Sequence, residues 1–306
     1  MKSAPISLSL VRTLFNKVDQ RAPAQFLLRE IAARLNDKLD LLVLQPNRIL
    51  DAGCGNGSAQ SILKSRYPSA QVLGIDAAYN ALRQARFAEA KAGFAERMRA
   101  LMAQFGGAKS GSPWVCGDFA QLPFSDASLE LIWSNLALHW HPEPDRVLAE
   151  WGRTVKPQGV VFFSCFGPDT FKELRAAYVE NEAQAHFLPF VDMHDYGDML
   201  VQAGFATPVM DMEKIVLSYL SVEQLLADVR ALGGNPRSDR PRGLTSRSCH
   251  KKRMALLEKS RSPSDGRIHL TIEVIYGHAF KPQASLYAKG ESPLRFVDLK
   301  KIQSDH

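Results

Sequence analysis

The chain has 306 residues, of which 45% are hydrophobic and 23% charged. That length suits about two domains, or one large α/β domain with insertions. That balance excludes a disordered, collagen-like or low-complexity protein. The net charge of +6 is uneven: Arg230 to His306 holds 16 Lys and Arg against 7 Asp and Glu, while residues 1–229 hold 22 against 25. The basic C-terminal quarter reads either as a solvated surface or as a docking face for an acidic partner.

Residues 5–40 carry two helical stretches split by Pro23, with Leu10, Leu14 and Val18 on one and Phe26 or Leu27, Ile31 and Leu35 on the other. A short strand, Arg48 to Leu50, ends at Asp51 and runs into a glycine-rich turn. Then follow a helix over 58–66, a strand over 71–75 ending at Asp76, and a long Ala-rich helix over 78–105. Strands over 114–116 and 129–134 come next, then a helix over 145–155 with Asp145 as the expected N-cap and Pro157 and Gly159 as its stop. A fifth strand, 160–166, is apolar throughout, as a strand covered on both faces should be. Helices over 170–183 and 195–204 follow it. This alternation predicts a mainly parallel, doubly wound α/β sheet.

The pattern then changes. Residues 209–219 and 268–280 read as strands, with Ile268, Leu270, Ile272, Val274 and Tyr276 on one face of the second. Between them lie a helix over 222–232, a Gly/Pro/Arg loop and a basic helix over 248–259. The expected organisation is an N-terminal helical segment (1–47), a core (48–218), a helical basic insert (219–266), a last core strand (267–282) and a flexible tail (283–306). The two late strands suggest an antiparallel addition at one sheet edge.

Four cysteines (Cys54, Cys116, Cys165, Cys249) show no CxxC pair and no zinc-ligand spacing with histidine. They suggest reduced, mostly buried thiols in a cytoplasmic protein. No run of about 18 apolar residues is present for a membrane span, and residues 1–15 lack the apolar core of a secretory signal.

The strongest local signal is Asp51-Ala52-Gly53-Cys54-Gly55-Asn56-Gly57, directly after the first strand. Closely spaced glycines allow a sharp turn and close approach of a ligand, and a helix N-terminus is expected to follow. The spacing is G-x-G-x-G rather than the dinucleotide G-x-G-x-x-G, and Asp51 would repel a pyrophosphate but suit a cation. Later strand ends add Asp76, able to accept ribose hydroxyls, Asp118 with Phe119, able to accept an adenine amino group and pack on its face, and Asn135. Ligands of open parallel sheets bind at such carboxyl ends. Any one of these aspartates alone can also be read as a helix cap; the set together hardly can.

This set resembles the class I S-adenosylmethionine-dependent methyltransferases over roughly residues 48–166. The resemblance implies that Asp51, Gly53, Gly55, Gly57, Asp76, Asp118, Phe119 and Asn135 bind S-adenosylmethionine. The stretches Val11–Asn16, Ser134–Trp140, Phe171–Arg175 and Leu232–Asn235 are further similar to the malonyl-acyl-carrier-protein O-methyltransferases of biotin synthesis. A sister group has nearly the same pattern, including Pro189–Asp192, and contains a complex I assembly factor proposed to hydroxylate an arginine. Two departures stand out: no aromatic follows Phe15 within Asp19–Pro23, and the segment from Lys91 to Pro113 is longer than usual.

The closer resemblance implies methyl transfer to the free carboxylate of malonyl-acyl carrier protein. A carboxylate is already nucleophilic at pH 7, so no general base is needed, and alignment can supply on the order of 7–11 kcal/mol. Arg175 is the expected partner of that carboxylate and His139 an expected hydrogen-bond donor to it, against a surface role for the first and a packing role beside Trp140 for the second. The acidic carrier is expected to dock on Arg237, Arg240, Arg242, Arg247, Lys251, Lys252 and Arg253. The cluster lacks the interleaved aromatics of a nucleic-acid surface. A degenerate methyltransferase fold serving as an assembly scaffold is the non-enzymatic reading, and the intact glycine and aspartate set counts against it.

Overall fold

The computed structural model describes residues 5–17, 24–103, 113–178, 186–240, 243 and 246–283, without the side chains of 92–103. Seven strands form one sheet: β1 (Arg48–Ala52), β2 (Gln71–Asp76), β3 (Trp114–Cys116), β4 (Leu129–Asn135), β5 (Val155–Phe166), β6 (Ala206–Tyr219) and β7 (Ile268–Phe280). Their order is β3-β2-β1-β4-β5-β7-β6. The first five pair in parallel; β7 runs antiparallel to both β5 and β6. The mainly parallel sheet with an antiparallel edge is therefore present. The expected tail, 283–306, lies outside the described residues after Gln283.

Nine α-helices are named among the described residues: α1 (Leu8–Phe15), α2 (Gln25–Lys38), α3 (Gln60–Arg66), α4 (Tyr79–Ala103), α5 (Pro144–Thr154), α6 (Lys172–Ala176), α7 (Met193–Gln202), α8 (Val222–Ala231) and α9 (Arg247–Lys259). Successive strand residues face opposite sides, so each central strand feeds two cores. On β5, Val160 and Phe162 join one core while Val161 and Phe163 join the other. The first core is closed by Leu27, Ile31 and Leu35 of α2, Leu174 of α6, Val222 and Leu225 of α8 and Leu257 of α9. It also takes all five residues of the β7 face read from the sequence. The second is closed by Val147, Leu148 and Trp151 of α5 and by Tyr196 and Leu200 of α7. The N-terminal helical segment and the late helices thus share a core with the sheet.

Three local expectations are corrected. The helix expected from Asp145 starts one residue earlier: Pro144 occupies its first turn and Glu143 precedes it without a side-chain cap. Proline costs nothing there, because the first-turn amides have no intrahelical acceptor. Pro157 and Gly159 do not lie beyond that helix in a loop; they sit inside β5, which begins at Val155. The irregular pairing between Leu129 and Leu131 on β4 accommodates this stretch, since Val155 pairs with Leu129 and Val160 with Leu131. Of the helix expected over 170–183, α6 covers five residues, and 179–185 lie outside the described residues. The four thiols are free; Cys54 and Cys165 are buried, but Cys116 is exposed and Cys249 half-buried. Among the described residues, no helix is long and apolar enough to cross a membrane.

Candidate functional site

The ends of β1, β2 and β4 form a cleft lined by Asp51, Gly53, Cys54, Gly55, Asp76, Phe119, Asn135, Leu136 and Trp140, with Val11, Phe15, Gln25 and Leu28 closing it from the N-terminal helices. Its floor is the glycine loop. The amides of Gly53 and Cys54 both donate to the Ile75 carbonyl, at 2.8 and 3.1 Å, which folds the loop back over β2. Gly53 has a φ of +77°, and a Cβ there would fall 2.2 Å from the Cβ of Ala137. A side chain at this point would fill the cradle. The following helix, α3, begins at Gln60, three residues past Gly57.

Asp76 holds the loop from below: its Oδ2 accepts the Gly55 amide at 2.8 Å and its Oδ1 the Ala78 amide at 2.7 Å. A carboxylate oxygen accepts more than one hydrogen bond, so these contacts leave it able to take a hydroxyl as well. Asp51 is 1% exposed, and its Oδ2 has no hydrogen-bond partner. Burial first, then the negative charge of Asp76, pushes its carboxyl up to about 8. The cleft therefore holds two neighbouring carboxyl groups whose charges oppose each other, an environment that attracts a cation and repels a phosphate.

Three of the expected residues behave differently. Gly57 is absent from the cleft lining; its φ is +74°, and a Cβ there would lie 2.5 Å from the Trp114 ring. The amide of Asn135 is committed to the protein, donating to the Leu28 carbonyl at 3.0 Å and accepting from Ser164 Oγ at 2.8 Å. It ties α2 to β4 and β5. Asp118 is absent from the cleft lining; its Oδ1 accepts the Ala120 amide at 2.9 Å, and His141 Nε2 is 3.9 Å away. Its neighbour Phe119 does face the cleft, propped by Trp151, whose indole N–H donates to the Phe119 carbonyl at 3.2 Å. Leu136 was missed from the sequence. It lines the cleft with a left-handed φ of +51°, its amide donating to the carbonyl and the hydroxyl of Ser164. A β4 end rich in apolar residues gave no sign of that turn.

A second cavity, of about 340 Å³, lies on the other side of Trp140, which borders both. It is walled by Phe166 at the end of β5, by Phe171, Leu174 and Tyr178 after it, by the 186–190 segment, and by α8 and α9. The Leu232–Asn235 stretch closes it. Gly233, at φ +142°, brings its backbone so near the Trp140 ring that a Cβ would lie 2.5 Å from it. Phe15 meets the same indole edge-on at 5.2 Å. Trp140 is thus a partition fixed from both ends of the chain.

Neither expected substrate-orienting residue lines either cavity. The Arg175 guanidinium donates to the Pro168 carbonyl, in the loop between β5 and α6. His139 is 5% exposed, packed between Trp140, Phe166 and Phe190, and burial lowers its pKa to about 3, so the ring is neutral. Its Nδ1 accepts the Phe166 amide at 3.4 Å. The expected docking cluster is also divided. Arg237 is only 11% exposed along its side chain, and is paired with Asp239 at 2.8 Å and bonded to the Phe187 carbonyl. Arg253 faces the second cavity, with its guanidinium 4.1 Å above the Tyr178 ring. Arg240, Arg247, Lys251 and Lys252 are exposed; Arg242 lies outside the described residues.

Residues 50–163 match the family model described as a methyltransferase domain. The chain resembles the YcgJ protein of Bacillus subtilis (TM-score 0.55, 14% identity, covering 84% of this chain and 100% of that one). It also resembles a putative methyltransferase of Bacillus halodurans C-125 (TM-score 0.54, 19% identity, 82% and 99% covered). These likenesses carry the fold. At the sequence level it is 43% identical over 262 residues to the malonyl-(acyl-carrier protein) O-methyltransferase of Laribacter hongkongensis, covering 85% of this chain and 84% of that protein. To the protein of the same name from Methylovorus sp. it is 39% identical over 294 residues, covering 95% of each. With that similarity spanning the loop, the Trp140 partition and both late helices, the chain belongs to the malonyl-(acyl-carrier protein) O-methyltransferase family.

Proposed function

We propose that this chain transfers a methyl group from S-adenosylmethionine to the free carboxylate of malonyl-acyl carrier protein, giving the methyl ester that opens biotin synthesis. The observation that carries this reading is the pair of cavities meeting at Trp140, one acidic and glycine-floored, the other apolar. Bound in the first, S-adenosylmethionine supplies an electrophilic methyl on a cationic sulfur. The residues present fit that group: Gly53 leaves room for it, Asp51 offers a buried carboxyl oxygen, Oδ2, without a partner, and Asp76 offers oxygens suited to a ribose. Phe119 offers a flat apolar wall.

The chain's own contribution is positioning. Trp140, pinned by Phe15 and Gly233, sets the distance between the two sites. The apolar walls exclude water from a carboxylate that needs no base. Arg240, Arg247, Lys251 and Lys252 offer an acidic carrier a cationic face. The test is mass spectrometry of malonyl-loaded carrier after incubation with the protein and S-adenosylmethionine. A gain of one methylene, abolished by Gly53→Leu, is expected; an unchanged mass with the wild-type protein overturns the reading.

A further inference from the structure

Arg237 belongs by charge to the expected docking cluster, yet each of its three guanidinium nitrogens is engaged. Nε and Nη2 donate to the two carboxylate oxygens of Asp239, at 2.9 and 2.8 Å, and Nη1 donates to the Phe187 carbonyl at 3.1 Å. The first two bonds form a bidentate fork, which offsets the charge and fixes the plane of the guanidinium. That plane aims the third bond at backbone 50 residues earlier in the chain. The backbone of Arg237 is also held. Its amide donates to Asn235 Oδ1 at 3.1 Å, and it forms an antiparallel bridge with Ile6. On either side of that bridge the Ser7 amide donates to the Pro236 carbonyl at 3.0 Å, and the Ser238 amide to the Pro5 carbonyl at 2.8 Å.

One residue thus joins three segments far apart in sequence: the first described residues, the 186–190 segment and the turn after α8. All three converge on Trp140. Ile6 and Leu188 share one small buried cluster with it, while Phe15 and Gly233 approach its ring. Of the three, the 186–190 segment has the least regular backbone. Residues 187–190 form neither helix nor strand, so no ladder of backbone hydrogen bonds fixes them, although Phe187, Leu188 and Phe190 all line the acceptor cavity. A charged donor on the Phe187 carbonyl, oriented by Asp239 and anchored through the Ile6 bridge, ties this wall to the rest. Arg237 itself lines neither cavity. Resting on the proposed function, we infer that Arg237 is a positioning residue for methyl transfer. It acts through the Phe187 carbonyl, holding the 186–190 wall against Trp140 so that the acceptor carboxylate meets the cofactor cleft at the right distance. It takes no part in docking the carrier.

The experiment measures kcat and KM for malonyl-pantetheine and for malonyl-loaded carrier, at about 0.05 and about 0.5 M salt, for the wild type, Arg237→Met and Arg237→Lys. Calorimetry with S-adenosylmethionine and a melting curve accompany each protein. Relative to the wild type, Arg237→Met is expected to lower kcat/KM by about ten- to hundredfold, the effect of a small misplacement at the reacting atoms. The factor should be the same for both acceptors and at both salt concentrations. Because alignment rather than binding is lost, most of the fall lies in kcat, and affinity for S-adenosylmethionine stays near wild type. Arg237→Lys keeps the charge but can satisfy Asp239 or Phe187, not both, so it should recover little; it carries the test if Arg237→Met does not fold. A loss confined to the carrier, with a factor that shrinks as salt rises, would return Arg237 to the docking surface and overturn the proposal. So would unchanged turnover of both acceptors. Loss of cofactor binding together with a lower melting temperature in both variants would mark a merely structural role, and also overturns it. Failure of the wild type to methylate any malonyl thioester, carrier included, would instead overturn the function on which the proposal rests.

Discussion

Asp51 is the residue whose chemistry most depends on what occupies the cleft. Its carboxyl, pushed up to about 8, keeps a proton in the folded chain that the unfolded chain releases above about pH 4. Between those values the folded state binds more protons, so Asp51 makes the cofactor-free protein less stable as pH rises from about 4 to about 8. A cation in the cleft favours the ionised carboxylate, and its binding therefore releases that proton. Affinity for S-adenosylmethionine is expected to rise between about pH 6 and 8, by at most about tenfold per pH unit. Asp51→Asn should flatten that rise, as read by calorimetry across a pH series. His139 acts with the opposite sign. With its pKa lowered to about 3, it is neutral when folded, while the unfolded ring protonates below about 6.5. The stability it contributes is complete above that pH and is lost as pH falls toward about 3. His139→Phe keeps an aromatic ring against Phe166 and Phe190, and should shift acid unfolding to lower pH while leaving turnover near wild type. A large fall in turnover at neutral pH would restore His139 as a substrate-contacting residue.

At the scale of elements, the Leu232–Asn235 turn after α8 holds the partition. Gly233→Ala forces a Cβ into the Trp140 ring and a side chain into a φ of +142°, at a cost of about 1–3 kcal/mol. Because Trp140 borders both cavities, KM for cofactor and for acceptor should rise together, alongside a lower melting temperature; a change confined to one substrate would count against the partition. The glycine loop and the strand-ending aspartates were legible because they are local: a strand, a turn and a carboxylate sit within a few residues of each other. The β7 face was legible because its period-two pattern serves one core. The acceptor cavity was not, since its walls come from Trp140, the ends of β5 and α6, the 186–190 segment, α8 and α9, which no local spacing connects. Arg175 looked well placed because it follows β5, but the left-handed turn at Phe171 and the Pro168 carbonyl claim its side chain. Arg253 looked like its neighbours Lys251 and Lys252 because charge counting does not see which side of a helix faces the fold.

For the whole molecule, the uneven charge becomes a spatial division of labour. The cleft for a cationic cofactor lies in the part of the chain that carries a net negative charge, with Asp51 and Asp76 at its floor. The acceptor side is closed by helices from the positive quarter. Within that quarter the charges lie at two ranges from an acceptor seated as proposed: those lining the cavity would touch it, whereas Arg240, Arg247, Lys251 and Lys252 are exposed and would act through a field that salt screens within about 10 Å at 0.1 M. The two ranges predict different salt responses. Raising ionic strength from about 0.05 to about 0.5 M should lower kcat/KM for the malonyl-loaded carrier by about tenfold or more, but should lower it much less for a malonyl thioester without the protein. The charge reversals Lys251→Glu and Lys252→Glu together should slow association of the carrier, seen by stopped flow, without changing the off-rate to the same degree. They should also leave methylation of the small thioester near wild type. If instead both substrates respond alike to salt, the outward face of α9 plays no part in capturing the carrier, and the whole electrostatic contribution resides inside the cavity.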